Sequence, residues 1–148
     1  MNITPVTNQV QEVSLQQLQD IILKKDDVVY VVNFWATWCK PCVAELPYFE
    51  NAHKHFAPDK AKIILVSLDF ATQKERIKKF VADRDMQSAV YRLNETNANS
   101  YINKIDSSWS GSIPATALYK NGKKVLFHEG EFNQHELDSI IKQQINIP

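Results

Sequence analysis

The chain has 148 residues, 44% of them hydrophobic, which is enough for one real core and too little for two domains. Seventeen Lys and Arg balance seventeen Asp and Glu, which leaves no electrostatic footprint for nucleic acid or anionic lipid. No apolar run reaches the length needed to cross a membrane.

We therefore expect a single domain over residues 1–148, with 1–9 a loosely ordered N-terminal segment. That segment is polar and lacks the charged-then-apolar pattern of a secretion signal, so the protein is either cytosolic or has lost a leader. From Ser14 to about Lys24, Leu15, Leu18, Ile21 and Ile22 share a helical face, with Ser14 and Gln17 as a capping box. Val28 to Phe34 reads as a strand buried on both faces. Pro41 to Phe56 carries a helical stripe of Cys42, Leu46, Phe49, His53 and Phe56. Ile63 to Leu68 is a second apolar strand, and Thr72 with Glu75 is expected to cap a helix bearing Ile77, Phe80 and Val81. A strand at Ala89 to Leu93 and one short helix from Ala98 to Ile105 follow. Asn121-Gly122 then joins Ala115–Lys120 to Lys123–His128 as a hairpin. The last helix is capped by Asn133 and Glu136 and buries Leu137, Ile140, Ile141 and Ile145. This order predicts an α/β fold, a central mixed sheet with helices on both faces.

Both cysteines of the chain fall in Trp38-Cys39-Lys40-Pro41-Cys42, between a strand and a helix. Two cysteines in one tight motif form no disulfide framework and point to redox or metal chemistry. Zinc needs two further ligands. His53 and His55 face different sides of their helix, and no second Cys-x-x-Cys exists, so no metal is expected. For thiol chemistry, Cys39 at the helix start is the attacking sulfur, because unsatisfied backbone N–H groups there favour negative charge. Pro41 suits the first helical turn, where its missing N–H has no partner to lose. Cys42 lies on the apolar stripe and resolves the mixed disulfide, while Lys40 adds a solvated positive charge. Trp35 is assigned to the core and Trp38 to contact with partners. His128, His135 and the basic stretch Lys74 to Lys79 read as surface.

The run Asn33-Phe34-Trp35-Ala36-Thr37-Trp38-Cys39-Lys40-Pro41-Cys42 with Glu45-Leu46-Pro47 resembles the thioredoxin superfamily, and more narrowly its TlpA/ResA-type oxidoreductases. Ile113-Pro114-Ala115-Thr116 resembles the superfamily's cis-proline loop, and Gly130 stands at its usual glycine position. The resemblance implies a thioredoxin fold, with residues 70–94 an inserted α-β segment and Pro47 kinking its helix. It implies a protein thiol-disulfide reductase with no cofactor beyond a redox-active Cys39–Cys42 disulfide. Its partners are then cysteine-containing client proteins and an upstream thiol-disulfide electron donor, and the protein is a monomer outside the cytoplasm. Trp38, Lys40, Pro41, Ile113 and Pro114 form the expected client-contact set. Asn33 departs from the buried aspartate of thioredoxins, and an amide accepts no proton from Cys42. Glu45, three residues past Cys42 and matched by a glutamate in the narrower subfamily, is the expected proton-exchanging group. The other readings are a thioredoxin-fold metallochaperone, a peroxide-reducing relative, a non-catalytic binding domain and a cytoplasmic location.

Overall fold

β2 (Val29–Trp35) is buried at all seven positions, as a run of apolar residues interrupted only by Asn33 requires of a strand covered on both faces. The structure, a computed structural model, describes residues 9–148, so the N-terminal segment expected to be loosely ordered lies, but for Gln9, outside the described residues. Among those residues, six strands form one mixed sheet in the order β1-β4-β3-β2-β5-β6. The others are β1 (Gln11–Val13), β3 (Ala61–Ser67), β4 (Ala89–Leu93), β5 (Ala115–Lys120) and β6 (Lys123–Glu129). β1, β4, β3 and β2 run parallel, while β5 and β6 are antiparallel to their neighbours.

Helices cover both faces. α2 (Lys40–His55), α3 (Lys74–Asp83) and α5 (Gln134–Asn146) supply Leu46, Phe49, Ile77, Val81, Leu137 and Ile141 to one core. α1 (Leu15–Ile22) and the four-residue α4 (Ile102–Ile105) close the other with Leu18, Ile22 and Ile105, joined by Trp109. The capping boxes at Ser14/Gln17 and Asn133/Glu136 form with both reciprocal bonds. In the hairpin turn Asn121 (φ 52°) and Gly122 (φ 78°) both take positive φ, the geometry that matches strand twist.

Two expectations need correction, and one strand has no counterpart in the sequence reading. β1 carries only one buried side chain in three residues, too little periodicity to read as a strand. Thr72 caps nothing: Ala71–Gln73 form a 3₁₀ turn, and Gln73, without a side-chain bond, precedes α3. The helix expected from Ala98 to Ile105 splits into a 3₁₀ turn at Ala98–Ser100 and α4. The segment 70–94 does add a helix and a strand, α3 and β4, on the outer side of β3.

Candidate active site

The parallel strands β2 and β3 end side by side, and the chain leaving β2 turns at once into α2. Thr37 is clamped there by a carboxylate from the neighbouring strand's exit. Its N–H donates to Asp69 Oδ2 (3.0 Å) and its hydroxyl to Asp69 Oδ1 (2.7 Å), while Ser67 Oγ donates to Oδ2 (2.6 Å). Asp69 is 1% exposed, yet three donors satisfy it, as a buried polar group requires. The Cys39 N–H closes the turn onto the Ala36 carbonyl (3.1 Å).

Cys39 is the N-cap of α2, and its sulfur accepts the Cys42 backbone N–H at 3.3 Å. A thiolate at that atom meets an N–H donor and the positive end of a 16-residue helix. Lys40 and Pro41 occupy the first two helical positions, both exposed, and Pro41 forfeits no bond there. The two sulfurs form a disulfide with Cα atoms 5.2 Å apart. Cys42 is fully buried and Cys39 retains 6% exposure, so an incoming sulfur meets Cys39 first. Trp38 stands 58% exposed beside the pair, and Trp35 is enclosed against Phe80.

The loop before β5 approaches from the other side. The Ile113–Pro114 peptide is cis, and the Ile113 carbonyl oxygen lies 3.8 Å from Cys39 Sγ. Gly130 (φ 113°) donates its N–H to the Pro114 carbonyl at 2.8 Å, while Glu129 receives the N–H and hydroxyl of Ser110. Trp109 Nε1 bonds the Ser112 carbonyl (2.9 Å), so the loop is fixed at both ends.

One turn along α2 from Cys42 begins a buried polar cluster. Glu45, expected on the helix face near Cys42, is 1% exposed rather than a solvated helix glutamate. Its Oε1 accepts Asn33 Nδ2 (3.1 Å) and its Oε2 accepts the Phe132 N–H (2.9 Å). Burial pushes its carboxyl up to about 7; those two bonds hold it down and nearby Glu131 adds to the rise. Asn33 Nδ2 also donates to Thr116 Oγ1 (3.2 Å), and Asn33 Oδ1 is buried without a partner. Sequence reasoning misses Asp69, Thr116 and Phe132. Asp69 alone leaves a local signal, a charged residue two past the apolar β3 run.

A cysteine pair at a strand–helix junction, faced by a cis-proline loop on a mixed sheet, makes this a thioredoxin-fold protein. Solved structures agree. A thiol:disulfide interchange protein of the thioredoxin family from Chlorobium tepidum TLS superposes with TM-score 0.70, 22% identity and 82% of each chain covered. The exposed lipoprotein thioredoxin Etrx1 of Streptococcus pneumoniae strain TIGR4 gives 0.63 and 20%, covering 80% of this chain and 87% of that one. The chain belongs to the AhpC/TSA family, whose pattern matches residues 2–126. It is similar to a thiol-disulfide oxidoreductase ResA of Bacillus cereus, 31% identical over 114 residues, 76% of this chain and 61% of that protein. The thioredoxin-like protein YneN of Bacillus subtilis (strain 168) is 41% identical over 66 residues, 45% of this chain and 36% of that one. The chain thus spans less than two thirds of the length of these relatives.

Proposed function

We propose that this protein is a thiol-disulfide oxidoreductase that reduces disulfides in client proteins. The observation that carries the reading is the asymmetric pair at the α2 N-terminus, with Cys39 reachable and capped by an N–H and Cys42 enclosed. In the dithiol form, the Cys39 thiolate attacks one sulfur of a client disulfide, making a mixed disulfide and expelling the other client sulfur as a thiolate. Cys42, deprotonated, then attacks Cys39 Sγ. The Cys39–Cys42 disulfide forms, and the second client sulfur leaves as a thiolate. Two electrons pass to the client, whose thiolates take up two protons, and an upstream dithiol later restores the pair.

Glu45 is the proton-exchanging group for Cys42. A carboxyl poised near neutrality both accepts and returns a proton at physiological pH, which an ordinary carboxylate does poorly. Trp38, Lys40, Pro41, Ile113 and Pro114 flank the small exposed part of Cys39 and contact the client.

The protein works outside the cytoplasm as a monomer. The exposed-lipoprotein name of the pneumococcal neighbour supports this location. Among the described residues no helix is long and apolar enough to cross a membrane. Labelling of Cys39 in intact, reduced cells by a membrane-impermeant thiol reagent tests the location; exclusive labelling after lysis overturns it.

The deciding measurement is the reduction potential of the Cys39–Cys42 couple. A value toward that of thioredoxin, about −270 mV, supports a reductase; one toward about −120 mV makes the protein a disulfide donor and ends that reading.

A further inference from the structure

Five large hydrophobic side chains among the described residues are exposed, and the two most exposed are Phe70 at 74% and Trp38 at 58%. They share one location. Trp38 follows Thr37 and Phe70 follows Asp69, and Thr37 and Asp69 are joined by bonds of 3.0 and 2.7 Å. Trp38, the residue before Cys39, and Phe70 therefore each leave from the backbone position that follows this clasp, where β2 and β3 end side by side. Their exposure does not come from fraying: Thr37 and Asp69 are 7% and 1% exposed. Beyond Phe70, the Gln73 N–H bonds the Phe70 carbonyl at 2.8 Å and sets the next turn. A phenylalanine ring stabilises a fold by being buried, so one left 74% in water adds little to folding.

We propose that Phe70 and Trp38 form an apolar clamp beside the disulfide, which receives a bulky apolar side chain flanking the reactive cysteine of an extended client segment. This inference rests on the thiol-disulfide reading and adds substrate selection by Phe70, the first residue of the segment 70–94. The occupant follows from position and charge. A client forming a mixed disulfide with Cys39 must lie along this rim, with the Ile113 carbonyl 3.8 Å from the same sulfur. Within residues 36–41 and 68–73 the charged side chains are Lys40, exposed, and Asp69, buried, so neither of these two segments presents a surface anion to an apolar or acidic client. A lipid surface fits less well, because seating both rings in a membrane covers the 6% of Cys39 through which exchange must pass.

The test uses pre-reduced full chain in single-turnover exchange with three disulfides: hydroxyethyl disulfide and two matched peptides carrying Phe or Ser beside the cysteine. Phe70→Ser should slow reduction of the Phe-flanked peptide about tenfold, the scale of one lost aromatic contact. It should leave the Ser-flanked peptide and hydroxyethyl disulfide within about twofold and the reduction potential unchanged; Phe70→Leu should retain most of the preference. Equal rates for both peptides in the unsubstituted protein, or a uniform loss across all three disulfides in Phe70→Ser, overturns the clamp while leaving the oxidoreductase reading intact. Binding to phosphatidylcholine vesicles that Phe70→Ser abolishes, with peptide rates unmoved, assigns the rings to lipid and also overturns it. Failure of the unsubstituted dithiol to reduce any of the three overturns the oxidoreductase reading itself, and the clamp with it.

Discussion

Asn33 donates its side-chain Nδ2 to Glu45 Oε1 across 3.1 Å, with both residues closed to solvent. The amide stands where a thioredoxin carries an acid, and the acid stands on the helix opposite. One ionisable group thus serves this buried polar cluster, and its protonation state is felt by Asn33 and the Phe132 N–H that bond it.

The first consequence is a pH-dependent stability. Burial raises the Glu45 carboxyl to about 7 in the folded protein, against 4.5 when unfolded. Between those values the folded state holds a proton that the unfolded state has released, so the Glu45 contribution to stability is fullest below pH 4.5 and is lost as pH rises through 7. The shift corresponds to roughly 3 kcal/mol, the larger part of it lost by pH 7. Glu12, Asp26 and Asp106 are lowered instead, so their contributions change at more acid pH and do not overlap this window. Urea unfolding of the oxidised protein from pH 5 to 8 should show the decline, and Glu45→Gln should flatten it. An unaltered slope in Glu45→Gln removes Glu45 as its source.

Replacing the donor acts in the opposite sense from replacing the acid. Asn33→Leu keeps a side chain of similar bulk but withdraws the bond that favours the carboxylate, so the Glu45 carboxyl titrates still higher. We expect the midpoint, followed by the ¹³C shift of the Glu45 carboxyl, to move above its position in the unsubstituted protein. The pH profile of client reduction should move in the same direction. A general packing defect lowers stability without moving either titration.

The local parts of this site are legible in the sequence because they are local. Cys39, Pro41, Cys42 and the flanking strand and helix lie within one continuous stretch, and Asn121-Gly122 marks its hairpin alone. The helical pattern places Glu45 on the correct helix and face, but its burial is not legible there, since Phe132 N–H and Thr116 come from 87 and, through Asn33, 83 residues away. Asp69 escapes notice for a related reason. A carboxylate after an apolar strand reads as solvated until Thr37 is known to lie beside it. β1 escapes altogether because its partner, β4, is 80 residues distant and its three residues carry no alternation of their own.

Roles within the disulfide separate by trapping. Cys42→Ser leaves Cys39 able to attack but removes the resolving thiol, so mixed disulfides with clients should accumulate and multiple turnover should cease. Cys39→Ser should trap none, because Cys42 is sealed from solvent. Non-reducing electrophoresis followed by mass spectrometry reads the difference; equal trapping by both variants means that either sulfur reaches the client and the assignment fails.

The edge of the sheet should depend on one buried guanidinium. Arg92 is 4% exposed and donates Nε to Glu12 Oε1 at 2.6 Å and a terminal nitrogen to Asn94 Oδ1 at 2.8 Å. The other reaches the Asp69 carbonyl at 3.3 Å, so the residue that holds β1 to β4 also braces the Thr37–Asp69 clasp. Arg92→Leu removes these donors, and the Asp69 carbonyl loses its only side-chain partner among the described residues. We expect a loss of about 3 kcal/mol, seen as roughly 10 °C in Tm. Amide exchange at Gln11–Val13 should accelerate more than in α5, which Arg92 does not touch. Glu12→Gln should cost less, since Glu12 is about one-third exposed and the guanidinium keeps its other acceptors. Exchange at β1 unchanged by Arg92→Leu shows that backbone pairing to β4 holds the strand without this residue.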